Sequence, residues 1–218
     1  MKYFIVILFL LKIVVVNAQI KDGWSLGVGA IYSQNNTSGF FELGQPLNPI
    51  GERGKHNLSD KGMGVKGVLG YSKIFNKFYI GGEIALDYVS SQKEEQLDNN
   101  WSFNIKNGLG TDLSILLGVV IKEKYLIYGK AGFIPYSRYI ITATHNINGQ
   151  WEDHNFFGVN VGVGNRINMG PVDLKFEIKH SFFNFNQPLK DGAISSQSLN
   201  QWDFEIGIVK TFAKNNYQ

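Results

Sequence analysis

From Gly23 to Ser33 the large residues Trp24, Leu26, Val28, Ala30 and Tyr32 alternate with Ser25, Gly27, Gly29, Ile31 and Ser33. A period of two sends successive side chains to opposite faces of an extended strand, so one face is oily and the other small. Seven further segments, roughly 62–73, 78–90, 109–121, 125–137, 156–167, 172–183 and 201–212, repeat the pattern. After Gln19 no stretch sustains a helical period or is long and apolar enough for a membrane-crossing helix. Eight strands, an even number, therefore dominate what the chain can become.

The links between these segments alternate in length. Three are short and rich in turn formers, around Phe75-Asn76-Lys77, Lys122-Glu123-Lys124 and Asn168-Met169-Gly170-Pro171. The other four, roughly 34–61, 91–108, 138–155 and 184–200, carry most of the Asn, Gln, Pro and His. Short turns at one end and long polar loops at the other are the pattern of transmembrane β-barrels. The expected fold is all-β: an eight-stranded antiparallel up-and-down transmembrane β-barrel.

The charges test that expectation, because a lipid-facing barrel must be apolar outside and can be polar inside. Lys66, Glu83, Asp87, Asp112, Lys130, Arg166, Asp173, Lys175, Glu177, Lys179, Asp203 and Glu205 all fall on the small or polar face. Only Lys73 and Lys210 fall on the oily face, both at one rim, where a lysine reaches the headgroup region. A soluble lipocalin-like barrel, apolar inside and charged outside, is the structural alternative. Aromatic residues add to the membrane reading. Trp24, Tyr71, Phe78, Tyr125, Trp202 and Phe212 lie near strand ends on the outward face, with Tyr32, Tyr88, Phe157 and Phe182 at the opposite ends. Two interfacial girdles account for such positions.

Composition narrows the class further. Among 218 residues there are 25 Gly, no Cys, and only 18% charged residues, which excludes a charge-rich disordered chain, disulfides and a thiolate centre. The N-terminus holds Lys2, an apolar run from Tyr3 to Val16 interrupted by Lys12, and Val16-Asn17-Ala18 before Gln19. This reads as a secretory signal peptide over residues 1–18; a membrane anchor is the alternative, but the run is short for one and broken by a lysine. The formal charge of +3 falls to about +1 without Lys2 and Lys12, so no nucleic-acid surface is expected. The expected organisation is then a barrel over 19–212 and a short C-terminal tail over 213–218.

Leader, eight amphipathic strands, three short turns, four long loops and the closing strand Trp202 to Phe212 resemble the small OmpA/OmpX-type outer-membrane barrels over residues 19–212. The resemblance implies an outer-membrane location in a Gram-negative cell envelope and contact with outer-membrane lipid. It carries no active-site motif. The last strand is similar to the family's assembly signal, with Glu205, Gly207 and Phe212 at the expected offsets, which implies recognition by the barrel-assembly machinery. Lys210 departs from the apolar residue usual there, and Ala213 to Gln218 follow the aromatic. The peptidoglycan-binding domain of two-domain relatives is not expected.

Eight strands enclose an interior just wide enough to be filled by side chains. Counted from the short turns, Glu83, Lys130 and Glu177 lie at one height, with Lys66 and Asp112 somewhat higher. Together with Glu205 they form the expected lumen charge network, read as a mutually neutralising plug; an ion-selective filter is the functional alternative. Catalysis finds little support. His180-Ser181 is the one suggestive pair, yet adjacent strand residues face opposite ways. His56, His145 and His154 have Asp60, Glu152 and Asp153 nearby, but no metal-ligand spacing supports a site. No cofactor is expected. Phe40, Phe41, Trp101 and Trp151 are candidate loop contacts for an extracellular or envelope protein partner, or they pack the loops down. Three classes stay open: a structural or interaction barrel, a narrow porin-like channel, and a small subunit of a larger envelope complex.

Overall fold

The computed structural model describes residues 19–42, 53–97, 101–145, 148–188 and 194–213. The expected leader and nearly all of the tail lie outside these. Nine strands follow in order: β1 (Gly23–Glu42), β2 (Arg53–Phe75), β3 (Phe78–Ser90), β4 (Gln92–Leu97), β5 (Trp101–Ile121), β6 (Tyr125–His145), β7 (Asn148–Asn168), β8 (Asp173–Pro188) and β9 (Ile194–Ala213). β3 and β4 are two lengths of one wall strand interrupted at Ser91, since both pair with β5. Each wall strand pairs antiparallel with its neighbours in the order β3-β2-β1-β9-β8-β7-β6-β5, and the β3–β5 ladder closes the ring. The eight-stranded closed barrel leaves no free edge at this level.

The wall has the expected polarity. Among the described residues thirty-five large apolar side chains are exposed on its outer surface, including Val28, Val65, Phe78, Ile115 and Val163. All twelve inward-assigned charges point into the lumen, eleven of them buried and Asp87 half-buried, while Lys73 and Lys210 are exposed outside. An apolar exterior of this extent needs lipid around it. It excludes the soluble lipocalin-like alternative.

Two sequence expectations change. The four long loops are shorter than expected, because the ladders continue to Glu42↔Arg53, Leu97↔Trp101, His145↔Asn148 and Pro188↔Ile194. A bilayer is crossed by about 9–11 residues of tilted strand. β2, with 23 residues, runs well beyond that. Outside the lipid both faces meet water, so the apolar alternation that reveals a strand disappears while its hydrogen bonds remain. Phe40, Phe41, Trp101 and Trp151 accordingly sit on strands, opposite Lys55, Gly54, His145 and Thr142, and their side chains lie outside the described residues. Trp202 also changes ends. It pairs with Gln34 and His180, so it belongs with Tyr32 and Phe182 in the girdle away from the short turns.

Beyond the lipid the ring parts along two seams. Among the described residues β2 keeps β1 but loses its other partner beyond Met63, and β7 keeps β6 but loses β8 before Gly158. The wall thereby continues as two sheets, β2-β1-β9-β8 and β4-β5-β6-β7. Pro135 marks the nearby register shift between Ile134 and Ser137 on β6, where a residue without an N–H cannot serve the ladder.

At the opposite end the segment ahead of β1 crosses the barrel base. The Ile20 N–H donates to the Glu123 carbonyl at 2.7 Å, reaching from β1 to the β5–β6 turn on the far wall. Its side chain is buried with Tyr79, Leu116, Val120, Leu126 and Tyr128. The lumen floor is therefore largely apolar, with Arg166 and Asp173 beside it, and the carboxylates Glu83, Glu177 and Glu205 lie above it.

Candidate functional site: a charged layer across the lumen

Glu177 and Glu205 face each other directly on β8 and β9. Like charges so placed repel, and two lysines hold them. Lys66 Nζ on β2 reaches across the lumen to Glu205 Oε2 at 2.7 Å and Glu177 Oε1 at 3.3 Å. Lys175 Nζ on β8 lies 3.1 Å from both Glu177 Oε2 and Glu205 Oε1. The Tyr128 hydroxyl donates to Glu177 Oε2 at 2.8 Å.

Glu83 on β3 gathers the other half of the layer. Lys130 Nζ lies 2.9 Å from its Oε1 and 3.2 Å from Glu177 Oε1, so one ammonium joins β3 to β8 through β6. Lys175 reaches the same Oε1 at 3.5 Å, and Arg166 Nη2 lies 3.4 Å from Oε2. The Arg166 guanidinium also sits over the rings of Tyr79 and Tyr128, at 6.0 and 5.8 Å from their centroids. This seats a cation against the aromatic floor.

A second tier lies toward the projecting sheets. Lys179 Nζ is 3.3 Å from Asp203 Oδ2, 3.4 Å from Asp112 Oδ2 and 3.8 Å from Asp87 Oδ2. Asp112 joins the tiers, being 3.4 Å from Lys130 as well, and it accepts a hydrogen bond from the Ser114 hydroxyl. Gln201 Nε2 donates to Asp203 Oδ1 at 2.7 Å. Near the floor, Asp173 accepts from Asn168 Nδ2.

The structure thus brings Lys66, Glu83, Asp112, Lys130, Glu177 and Glu205 into one connected set. Glu83, Lys130 and Glu177 meet directly, as their common height suggests. Counting heights along the wall leaves out Lys175, Arg166 and Lys179, whose alternation already turned them inward but whose reach is a matter of side-chain length. Tyr128 escapes notice for another reason: sorting only charges by face ignores an inward phenol. Its flanking partners on both neighbouring strands are Gly118 and Gly164, and a Tyr between two cross-strand glycines is the signal that marks it.

In the closing strand, Glu205 and Gly207 face the lumen and Phe212 faces out. A Cβ on Gly207 would lie 2.7 Å from the Val28 carbonyl oxygen, so only glycine lets β1 and β9 approach this closely. Lys210 Nζ sits 5.5 Å over the Phe212 ring at the rim. His180 and Ser181 lie on opposite sides of the wall. The imidazole stacks outside on Trp202 at 4.2 Å and meets Phe182 edge-on at 4.1 Å, while Ser181 is fully buried within. The side chains of His56, His145 and His154 lie outside the described residues.

No family model matches the chain, and no curated protein does. Solved structures do. The chain is similar to Neisserial surface protein A at 16% identity and a TM-score of 0.48, covering 88% of this chain and 100% of that one. It is similar to OprG of Pseudomonas aeruginosa at 12% identity and a TM-score of 0.48, covering 90% and 99%. Ail of Yersinia pestis matches at 14% identity and a TM-score of 0.43, covering 87% and 99%. By its own strand order, closed wall and inverted polarity, the chain is an eight-stranded transmembrane β-barrel with the architecture of the small OmpA/OmpX-type outer-membrane barrels.

Proposed function

We propose that this barrel resides in the bacterial outer membrane in a structural or interaction role, with a lumen closed to free permeation and no enzymatic activity. The observation that carries the reading is the charged layer: Lys66, Lys130, Arg166 and Lys175, on four strands, reach Glu83, Glu177 and Glu205 at distances of 2.7–3.5 Å. Side chains committed to one another across the bore leave no continuous path for a hydrated ion, and the apolar floor around Ile20 lies beneath them. Outer-membrane lipid covers the wall, and the barrel-assembly machinery reads Glu205, Gly207 and Phe212 on the closing strand.

The interaction part rests on the projecting sheets. Their seams leave the β2 and β7 edges without a ladder partner among the described residues, and an extended segment of another protein adds to such an edge through main-chain hydrogen bonds. Planar-bilayer recording on the refolded chain tests the closed lumen. Silence is expected; steady, ion-selective conductance instead establishes the porin-like channel. Native purification from outer membranes tests the interaction role, and a stoichiometric set of co-purifying envelope proteins would make the chain a subunit of a larger complex.

A further inference from the structure

The outer tier of the lumen holds more negative than positive charge. In the inner tier Lys66, Lys130, Arg166 and Lys175 stand against Glu83, Glu177 and Glu205, and Lys130 also reaches Asp112, so four cations meet four carboxylates. Among the described residues, Lys179 is then the cation that reaches both Asp203 and Asp87. Its ammonium is drawn to the Asp203 and Asp112 side, at 3.3 and 3.4 Å, and Asp87 is left at 3.8 Å. Three carboxylates thus crowd one ammonium, an arrangement that favours a further compensating charge.

A second observation falls at the same place. A cavity of about 10 Å³, lined by Asp87, Lys179, Ser181, Thr111, Ser137 and Gln201, has room for one water-sized occupant. Ser181 is fully buried on its lining, and its hydroxyl makes no hydrogen bond. Asn160, the cross-strand partner of Ser181, is 1% exposed, and neither atom of its amide is paired. Buried polar groups of native proteins are rarely left so.

We propose that this cavity is a monovalent-cation site, where an ion of the Na⁺ or K⁺ class lies between the Asp87 carboxylate and the Ser181 hydroxyl and completes the charge balance of the outer tier. The ion supplies a second positive charge to a tier in which one ammonium stands among Asp87, Asp112 and Asp203. It also gives the hydroxyl oxygen a partner. The site faces the projecting sheets, so it fills from the outer side of the charged layer and needs no passage through the barrel.

Rubidium is the probe, because its anomalous scattering marks a cation at a position where water scatters like any light atom. Crystals of the refolded full chain grown in Rb⁺ should show one anomalous peak against Asp87 and Ser181. Asp87→Asn should abolish it, and Ser181→Ala should raise the Rb⁺ concentration for half occupancy roughly tenfold. Both variants are first checked for the gel mobility of the closed barrel. Should Asp87→Asn fail that check, Ser181→Ala, which keeps every charge, carries the test. In solution, the unfolding midpoint of the wild type should be higher in K⁺ than in N-methylglucamine at equal ionic strength, and the difference should vanish in the variants. Wild-type crystals without an anomalous peak, or a peak unchanged by either substitution, overturn the proposal; the cavity would then hold water and a proton would neutralise Asp87.

Discussion

Lys130 touches three carboxylates and is buried among them, so its loss is felt in three places at once. Replacing it with Met should destabilise the barrel by about 3–5 kcal/mol, the usual consequence of leaving buried charge unpaired. Lys73, exposed at the rim with its ammonium 5.0 Å over the Phe75 ring, should be replaceable by Ala with little effect. Urea unfolding of the refolded protein in bilayers measures both. If the two substitutions cost the same, the lumen is wet and its charges are independently solvated. The glycines offer a second comparison. A Cβ on Gly164 would overlap the Tyr128 ring and hydroxyl, whereas one on Gly67 would meet nothing within 4 Å. Gly164→Ala should therefore destabilise the fold by displacing the phenol from Glu177, and Gly67→Ala should not; equal unfolding curves would show that Tyr128 has room to move.

Strands and turns divide the work of orientation and closure. Asn76, Lys122 and Glu123 adopt positive φ angles of 58°, 50° and 58°. That region is strained for branched side chains. Asn76→Val should weaken the β2–β3 hairpin and slow refolding, while Asn76→Gly should be tolerated, as read from refolding yield on gels. The barrel has a direction that cysteine labelling reports, since the chain has no native thiol. Single cysteines between β1 and β2 (43–52) or between β8 and β9 (189–193) should react with an impermeant reagent on intact cells, and cysteines at Asn76 or Asn168 should not. The reverse pattern would turn the projecting sheets toward the periplasm. The crossing segment makes its own demand: Ile20→Asp puts a carboxylate into the apolar floor and should lower stability without disturbing assembly of the wall.

At the scale of the whole molecule, closure is the property with consequences. Among the described residues every membrane-level strand has a ladder on both sides, interrupted by the register shifts on β5 and β6, as an apolar surrounding requires. The folded chain should resist denaturing detergent and migrate anomalously on gels until boiled, and it should fractionate with outer membranes. Recovery as a soluble periplasmic protein would defeat the membrane reading at once. Above the lipid the closure is given up along two seams, so rigidity in the wall and accessible edges in the projections belong to one design.

The period-two alternation, and the parity that put Glu83, Lys130 and Glu177 on the inner face, were legible residue by residue, because lipid outside and a confined lumen inside impose opposite demands on neighbouring positions. The order of the links gave the up-and-down topology for the same local reason. Where water bathes both faces that demand lapses. The strands around Phe40, Phe41, Trp101 and Trp151 therefore read as loops until their ladders are seen. Trp202 could be placed at its own end only once β9 was set antiparallel to β1. The reach of Lys175 and Arg166 to Glu83, that of Lys179 to Asp87 and Asp112, the passage of Ile20 to Glu123 and the bond from Tyr128 to Glu177 depend on ring closure, which brings strands that are not hairpin neighbours to face one another across the bore. A local pattern determines which way a side chain points; only the closed wall decides what it meets.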